Sequence, residues 1–138
     1  MRNALAALAI PVILSACATT GSYGDPETAV RERAQAYWDA RVVGDHITAF
    51  GFEEASTRPD VSLQRYLQRS GAITYLSAEV QEVLIKDADR ASVRVKMSYR
   101  APVPGLKRPL EGEAWTDWVR IKGLWYNSGR TKDVKGEN

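Results

Sequence analysis

The spacing of apolar residues along the chain changes once, near Gly71. Before that residue they recur every three or four positions, which is the period of an amphipathic helix. The longest such stripe is predicted to end near Val43, where Gly44 is suited to the position after a helix C-terminus. Three such stripes are each preceded by a residue that commonly caps a helix N-terminus, namely Asp25, Asp45 and Ser62. Three helices are therefore predicted.

After Gly71 apolar and polar residues alternate, which is the period of a β-strand with one buried face. The clearest alternation places Val93, Val95, Met97 and Tyr99 on one face. Strands are predicted at residues 73–76, 79–86, 93–100, 110–121 and 124–128. The last two are separated by Lys122-Gly123 alone, so they are predicted to form a tight hairpin.

Three helices followed by antiparallel strands is the element order of an α+β domain, in which a helix lies across the apolar face of a strongly curved sheet. This layout resembles the nuclear transport factor 2-like cone, which ketosteroid isomerase and polyketide cyclases share. The resemblance rests on four segments: Asp25-Pro26-Glu27, Tyr37-Trp38, Gly44-Asp45 and the closing stretch from Trp118-Val119-Arg120 to Gly123-Leu124-Trp125-Tyr126. It implies one domain over residues 25–130, followed by a polar tail at 131–138.

The first residues are predicted to be a secretory signal rather than part of the fold. Met1-Arg2-Asn3 is a short positive start, and residues 4–14 form an apolar run. As a helix that run would be about 16 Å long, roughly half the thickness of a membrane core. Residues 1–16 are therefore treated as a signal peptide and excluded from the domain.

The end of this segment, Leu14-Ser15-Ala16-Cys17, resembles the bacterial lipobox, and Cys17 is the only cysteine of the chain. The resemblance implies cleavage after Ala16, a diacylglyceryl thioether on Cys17 and an acyl chain such as palmitate on its amino group. Residues 17–24 would then be a short tether that spans about 15 Å. Ala18 is not the aspartate that retains such lipoproteins in the inner membrane, so the prediction is an outer-membrane anchor facing the periplasm. The alternative is an ordinary cysteine near a plain signal cleavage site.

Composition excludes several functional classes. The 19 Lys and Arg residues nearly balance the 17 Asp and Glu residues, whereas broad nucleic-acid binding usually needs a basic excess on one face. A single cysteine excludes an internal disulfide and a zinc site built on several thiolates. A single histidine, His46, excludes a metal centre that needs two imidazoles. No nucleic-acid partner, metal or other cofactor is predicted.

Asp117 is the candidate catalytic residue. Within the strand predicted at residues 110–121 it alternates in register with Trp115, Val119 and Ile121, so its carboxyl group is expected beside large apolar groups. An apolar pocket raises the pKa of a carboxyl group and lets it act as a general acid or base. The alternative is a bulge or an edge position, where Asp117 would face solvent or pair with an arginine. Three residues are its candidate partners: Tyr37, Tyr99 and Glu82.

An apolar ligand pocket is predicted between the helices and the sheet, because tyrosine and tryptophan combine an apolar body with a polar tip. The alternative is that these aromatic residues only fill the space there. Five residues are its predicted lining: Tyr37, Trp38, Phe50, Tyr99 and Trp115.

Two functional hypotheses follow. The preferred one is a non-catalytic, lipid-anchored envelope module that binds an apolar ligand or an envelope protein. It is preferred because no carboxylate of this chain can be matched to a catalytic position of the enzymes that it resembles. The alternative is a small proton-transfer enzyme of the ketosteroid isomerase or polyketide cyclase type, in which Asp117 is the acid or base and Tyr99 or Tyr37 donates a hydrogen bond.

Overall fold

The computed structural model describes residues 24–131 of the chain. The predicted signal peptide, Cys17, the tether up to residue 23 and the tail from residue 132 lie outside these residues and stay predictions. The described part contains three α-helices: α1 (Pro26–Val42), α2 (His46–Phe50) and α3 (Leu63–Arg69). Four strands follow: β1 (Thr74–Asp87), β2 (Arg90–Arg100), β3 (Leu110–Ile121) and β4 (Leu124–Arg130).

The predicted helix starts are confirmed by their capping bonds. The carboxylate of Asp25 accepts the backbone N–H of Thr28. Asp45 and Ser62 cap α2 and α3 in the same way, each accepting from the backbone N–H three residues further on. Each cap satisfies one of the N–H groups that a helix start leaves without an intrahelical partner. After α1 the chain turns at Gly44, whose φ of 76° is readily adopted by glycine.

The two strands predicted at residues 73–76 and 79–86 are one strand, β1, and their separation is wrong. The pairing of β1 with β2 shifts register between Tyr75 and Ser77 and again between Val80 and Glu82. A bulge of this kind adds a residue to one strand and bends it. The alternation of apolar and polar residues therefore breaks near Ser77, although the hydrogen-bonded strand continues through it.

The strands form a single antiparallel sheet in the order β1-β2-β3-β4, and α1 packs across one face of it. This arrangement confirms the predicted α+β class, with the N-terminal helices on a curved sheet. Trp118 of β3 lies at the centre of the core with 0% of its surface exposed. None of the helices within residues 24–131 is long and apolar enough to span a membrane. The helix side of the sheet carries the following buried residues: Val80, Val83, Ala91, Val93, Val95, Met97, Thr116, Trp118, Trp125 and Asn127.

Candidate functional site

A cavity of about 140 Å³ remains between α1 and the sheet, and we refer to it as the inner cavity. Tyr37 and Trp38 of α1 reach it from one side. Met97, Thr116 and Asn127 reach it from strands β2, β3 and β4. Ligand pockets for drug-sized molecules are usually about 300–1,000 Å³, so this space accommodates only a very small molecule or a few waters.

A hydrogen-bonded cluster of Tyr37, Glu53 and Arg41 occupies one wall of the inner cavity. The Tyr37 hydroxyl donates to Glu53 Oε1 at 2.7 Å and accepts from Arg41 Nη1 at 3.0 Å. Tyr37 and Arg41 are four residues apart on α1, so their side chains lie on one face of the helix. Glu53 is positioned by β4, because the backbone N–H of Asn127 donates to the Phe52 carbonyl at 2.8 Å.

Burial changes the acidity of this cluster. Burial raises the pKa of the Glu53 carboxyl group above its ordinary value, and the bond from Tyr37 and the charge of Arg41 offset only part of that effect. Burial also raises the pKa of the Tyr37 hydroxyl, and the nearby Glu53 carboxylate raises it further. The proton of the Tyr37 hydroxyl therefore lies between the phenol oxygen and the Glu53 carboxylate, in a site that is partly shielded from water.

Next to the inner cavity lies a larger pocket of about 470 Å³, which we call the arginine pocket. Arg41 lines both spaces. On this side α3 contributes Tyr66, and apolar lining comes from Val61 and Ile73. The Tyr66 ring packs on Phe50 of α2, with ring centroids 4.8 Å apart. The pocket takes its name from four lining residues: Arg41, Arg58, Arg65 and Arg69.

Asp117 lies on the opposite face of the sheet, and its predicted place in an apolar pocket is wrong. Its carboxylate accepts the hydroxyls of Ser92 and Thr131, both at 2.9 Å, and lies 3.5 Å from Lys86 Nζ. Partial burial acts to raise the pKa of Asp117, but the bonds from Thr131 and Ser92 and the charge of Lys86 outweigh it and lower that pKa. A register shift between Asp117 and Trp118 also places it at a bulge. Asp117 therefore forms polar contacts on the outer face of the sheet.

Trp115 shares this outer face, because it alternates with Asp117 along β3. The Arg94 guanidinium carbon lies 5.9 Å from its ring centroid. Together with Leu84 and Lys86, Trp115 lines an open depression of about 660 Å³. The prediction that Trp115 lines the helix-covered pocket is therefore also wrong. The error arises because β3 carries three apolar residues on each face, so alternation alone does not show which face meets the helices.

Two of the five predicted lining residues, Tyr37 and Trp38, line the inner cavity. Tyr99 packs against the core on the same face of the sheet and near Tyr75, with ring centroids 6.3 Å apart, but it does not line the cavity. Phe50 lies against Tyr66 beside the arginine pocket. The predicted residues are thus divided among separate places.

Sequence reasoning missed Arg41 and Glu53. Arg41 could have been identified, because it lies in the apolar stripe of α1 one turn after Tyr37. Glu53 could not, because its position depends on the bridge to Asn127, which is 74 residues away in the chain. Among residues 24–131, no three His, Cys, Asp or Glu side chains are grouped as metal ligands would be.

Solved structures show what this arrangement is similar to. One is a ketosteroid isomerase-like protein from Erwinia carotovora atroseptica, with a TM-score of 0.58 and 17% identity over 80% of this chain and 100% of that one. Another is a SEC-C motif containing protein from Psychrobacter arcticus, with a TM-score of 0.55, 12% identity, and coverage of 95% of this chain and 80% of that one.

A SEC-C motif containing protein from Rhodopseudomonas palustris is similar as well, with a TM-score of 0.54 and 16% identity over 78% of each chain. The sequence matches no protein-family model and no curated protein. At such low identities the similarity concerns the fold and not the activity. The element order, the sheet topology and these similarities agree, and the domain has a nuclear transport factor 2-like α+β fold.

Proposed function

We propose that this chain is a lipid-anchored envelope protein whose domain binds a small ligand without transforming it. One observation carries the proposal: the carboxylate at the inner cavity, Glu53, is already engaged by the Tyr37 hydroxyl, in a space of about 140 Å³. The adjoining arginine pocket, of about 470 Å³, has the size of an ordinary ligand site. Binding therefore suits the arrangement better than catalysis does.

The predicted apolar ligand or envelope partner has a separate place in this proposal. The outer face of the sheet carries Leu84, which is 46% exposed, beside Trp115 and the depression of about 660 Å³. An apolar partner would meet the protein there, whereas the arginine pocket suits a polar ligand. Neither a nucleic-acid partner nor a cofactor forms part of the proposal.

The lipid anchor gives the first prediction. Mass spectrometry of the membrane fraction is expected to find Cys17 as the N-terminal residue, with a diacylglyceryl thioether and a third acyl chain. Several acyl chains give stable membrane attachment, whereas one chain binds only reversibly. Cys17→Ser is the matched variant, and it should release the protein from outer-membrane vesicles. An unacylated protein whose N-terminus lies elsewhere would contradict both the anchor and the outer-membrane location.

A second candidate function is a proton-transfer enzyme of the ketosteroid isomerase or polyketide cyclase type. One observation favours it: Glu53, with a raised pKa, lies 2.7 Å from a tyrosine hydroxyl at a shielded cavity. A carboxyl group of this kind can act as a general acid or base near neutral pH. In this hypothesis Glu53 takes the role that the sequence assigned to Asp117, and Tyr37 is the hydrogen-bond donor.

Matched carboxylate-to-amide variants separate the two candidates. Glu53→Gln and Asp117→Asn would each be tested for complementation of a deletion strain, with folding checked by circular dichroism. If the protein is a binder, both variants should complement, because neither carboxylate lines the arginine pocket. An enzyme that depends on Glu53 would lose at least about 100-fold in rate in Glu53→Gln alone. A folded but inactive Glu53→Gln beside an active Asp117→Asn would overturn the binding proposal.

A further inference from the structure

The residues that line the arginine pocket carry an excess of positive charge. Its lining contains four arginines and one acidic residue, Asp60. Within residues 24–131, none of these four guanidinium groups has a carboxylate oxygen within 4.0 Å, although five other pairs on this domain satisfy that distance. Arg58, Arg65 and Arg69 are exposed, so solvent screens much of their mutual repulsion, but together the four arginines give this concave space a positive potential that attracts anions.

The pocket also contains buried polar atoms without a partner. Arg41 Nε and the Tyr66 hydroxyl are both inaccessible to solvent, and neither has a hydrogen-bond partner among residues 24–131. The large majority of buried polar atoms in folded proteins are hydrogen-bonded, so two unpaired donors beside one pocket require an explanation. The Arg41 side chain is also held over the rings of Tyr37 and Tyr75, with its guanidinium carbon 5.8 Å and 5.1 Å from their centroids. These contacts hold Arg41 at the boundary of the two spaces, where its guanidinium group adds a fixed positive charge to the pocket.

We infer that the arginine pocket binds the phosphate group of a small phosphate monoester. This inference rests on the proposed binding function and names the class of ligand. A phosphate monoester carries about −1.5 to −2 charges at neutral pH and three strong acceptor oxygens, which suits several arginines better than a single carboxylate does. Guanidinium groups bind such oxygens in pairs with fixed geometry. The apolar lining, Ala55, Val61 and Ile73, would contact the organic part of the ligand.

The phosphate could come from a soluble metabolite or from a lipid headgroup. The predicted tether holds the domain within about 15 Å of the bilayer, close enough for a phosphatidate headgroup to be considered. Both sources present the same monoester phosphate to the same arginines. Phenyl phosphate represents the soluble source, and dihexanoyl phosphatidate represents the lipid source.

Isothermal titration of the full chain in a non-ionic detergent tests the inference. Phenyl phosphate should bind, whereas benzyl alcohol, of similar size but uncharged, should bind at least about tenfold more weakly. Benzoate, with one charge, should also bind more weakly than phenyl phosphate. Raising the ionic strength should weaken the binding of phenyl phosphate, since part of the attraction is between exposed charges.

Variants locate the site. Arg65 and Arg69 are exposed and lie on α3, so replacing each or both with glutamine should preserve the fold. The double variant Arg65→Gln/Arg69→Gln should weaken phenyl phosphate binding at least about tenfold, and each single variant should weaken it less. Arg90→Gln is the control, because it removes the same charge from the β1–β2 hairpin. This hairpin and Thr74 lie at opposite ends of β1, about 30 Å apart along its partner strand β2. The Arg90→Gln variant should bind like the parent protein.

Each result has a defined meaning. Binding of phenyl phosphate or of dihexanoyl phosphatidate that depends on Arg65 and Arg69 supports the inference, and the preferred probe identifies the source. Equal binding of benzoate or benzyl alcohol overturns the phosphate assignment while the binding function stands. Absence of binding by every probe overturns the phosphate assignment, whereas the binding function itself is tested by the Glu53→Gln and Asp117→Asn variants. Arginine-dependent phosphate binding together with an inactive Glu53→Gln would leave this site in place and overturn only the proposal of a binder without catalysis.

Discussion

Replacing Trp118 with alanine is expected to lower the free energy of unfolding by about 3–5 kcal/mol, the usual cost of removing a fully buried aromatic side chain. None of its surface is exposed. Its ring lies edge-on to Tyr37, with centroids 6.0 Å apart, and its Nε1 donates to Thr116 Oγ1 at 3.0 Å. The substitution therefore leaves a cavity at the centre of the core and removes the bond that Thr116 Oγ1 accepts, while the Thr116 hydroxyl keeps its bond to the Val93 carbonyl. Denaturation by urea, followed by circular dichroism, measures the effect.

Trp115→Ala is the matched control, because Trp115 lies three residues away on the other face of the same strand. Trp115 is half-buried on the outer face, where the Arg94 guanidinium carbon lies 5.9 Å from its ring centroid. Because less of its surface is buried than that of Trp118, the variant should cost clearly less stability than Trp118→Ala. If Trp115→Ala cost as much as Trp118→Ala, the assignment of the two faces of β3 would be wrong.

The elements of the fold follow from local signals in the sequence. Asp25, Asp45 and Ser62 each cap the helix that they were predicted to cap, and the Lys122-Gly123 turn joins β3 and β4 as predicted. These signals involve residues within three or four positions of one another. Local chemistry alone determines them, so no tertiary contact is needed to recognise them.

Local signals do not determine which face of each strand is buried. Alternation shows which residues share a face, but it does not show which of the two faces meets the helices. On β3 the inward face carries Leu110, Ala114 and Trp118, whereas the outward face carries Trp115, Val119 and Ile121. A count of apolar residues therefore favours neither face. Of the two positions considered for Asp117, the apolar pocket and the bulge, the structure shows the bulge.

The cluster at the inner cavity depends on contacts between distant segments. Tyr37 is identifiable from the stripe of α1, but its partner Glu53 is brought there by the bridge between residue 53 and Asn127. The arginine pocket is similar, because Arg41 comes from α1 whereas Arg65 and Arg69 come from α3. Arginines scattered over 29 positions of sequence resemble an ordinary charged surface until the helices are assembled.

Tyr37→Phe is expected to lower the free energy of unfolding by about 1–3 kcal/mol near neutral pH, because it leaves a half-buried carboxylate without the hydroxyl that donates to it. Phenylalanine keeps the ring contact with Trp38, whose centroid is 5.2 Å away. What is lost is the hydroxyl that donates to Glu53 and accepts from Arg41. The loss is therefore one of hydrogen bonding rather than of packing, and it should depend on the charge of Glu53.

The pH dependence of that loss follows from the direction of the Glu53 shift. Burial raises the pKa of Glu53 in the folded state, so the folded protein binds more protons than the unfolded chain above the ordinary glutamate pKa. Stability from this group is complete below that ordinary pKa and is lost as the pH rises through the folded-state pKa. The Tyr37 hydroxyl lowers the Glu53 pKa, so Tyr37→Phe raises it further and extends the loss. The stability deficit should be small at about pH 5 and largest at about pH 8.

Glu53→Gln supplies the control for this prediction, because glutamine has a similar shape and does not ionise. In the Glu53→Gln background, Tyr37→Phe should cost nearly the same at both pH values. The difference between the two backgrounds measures the coupling between the hydroxyl and the ionised carboxylate. A deficit that is independent of pH in both backgrounds would show that Glu53 does not carry the charge that Tyr37 stabilises. In that case Glu53 would be a neutral hydrogen-bond partner of Tyr37 beside the Arg41 cation, and it would offer no acid–base pair to a proton-transfer reaction.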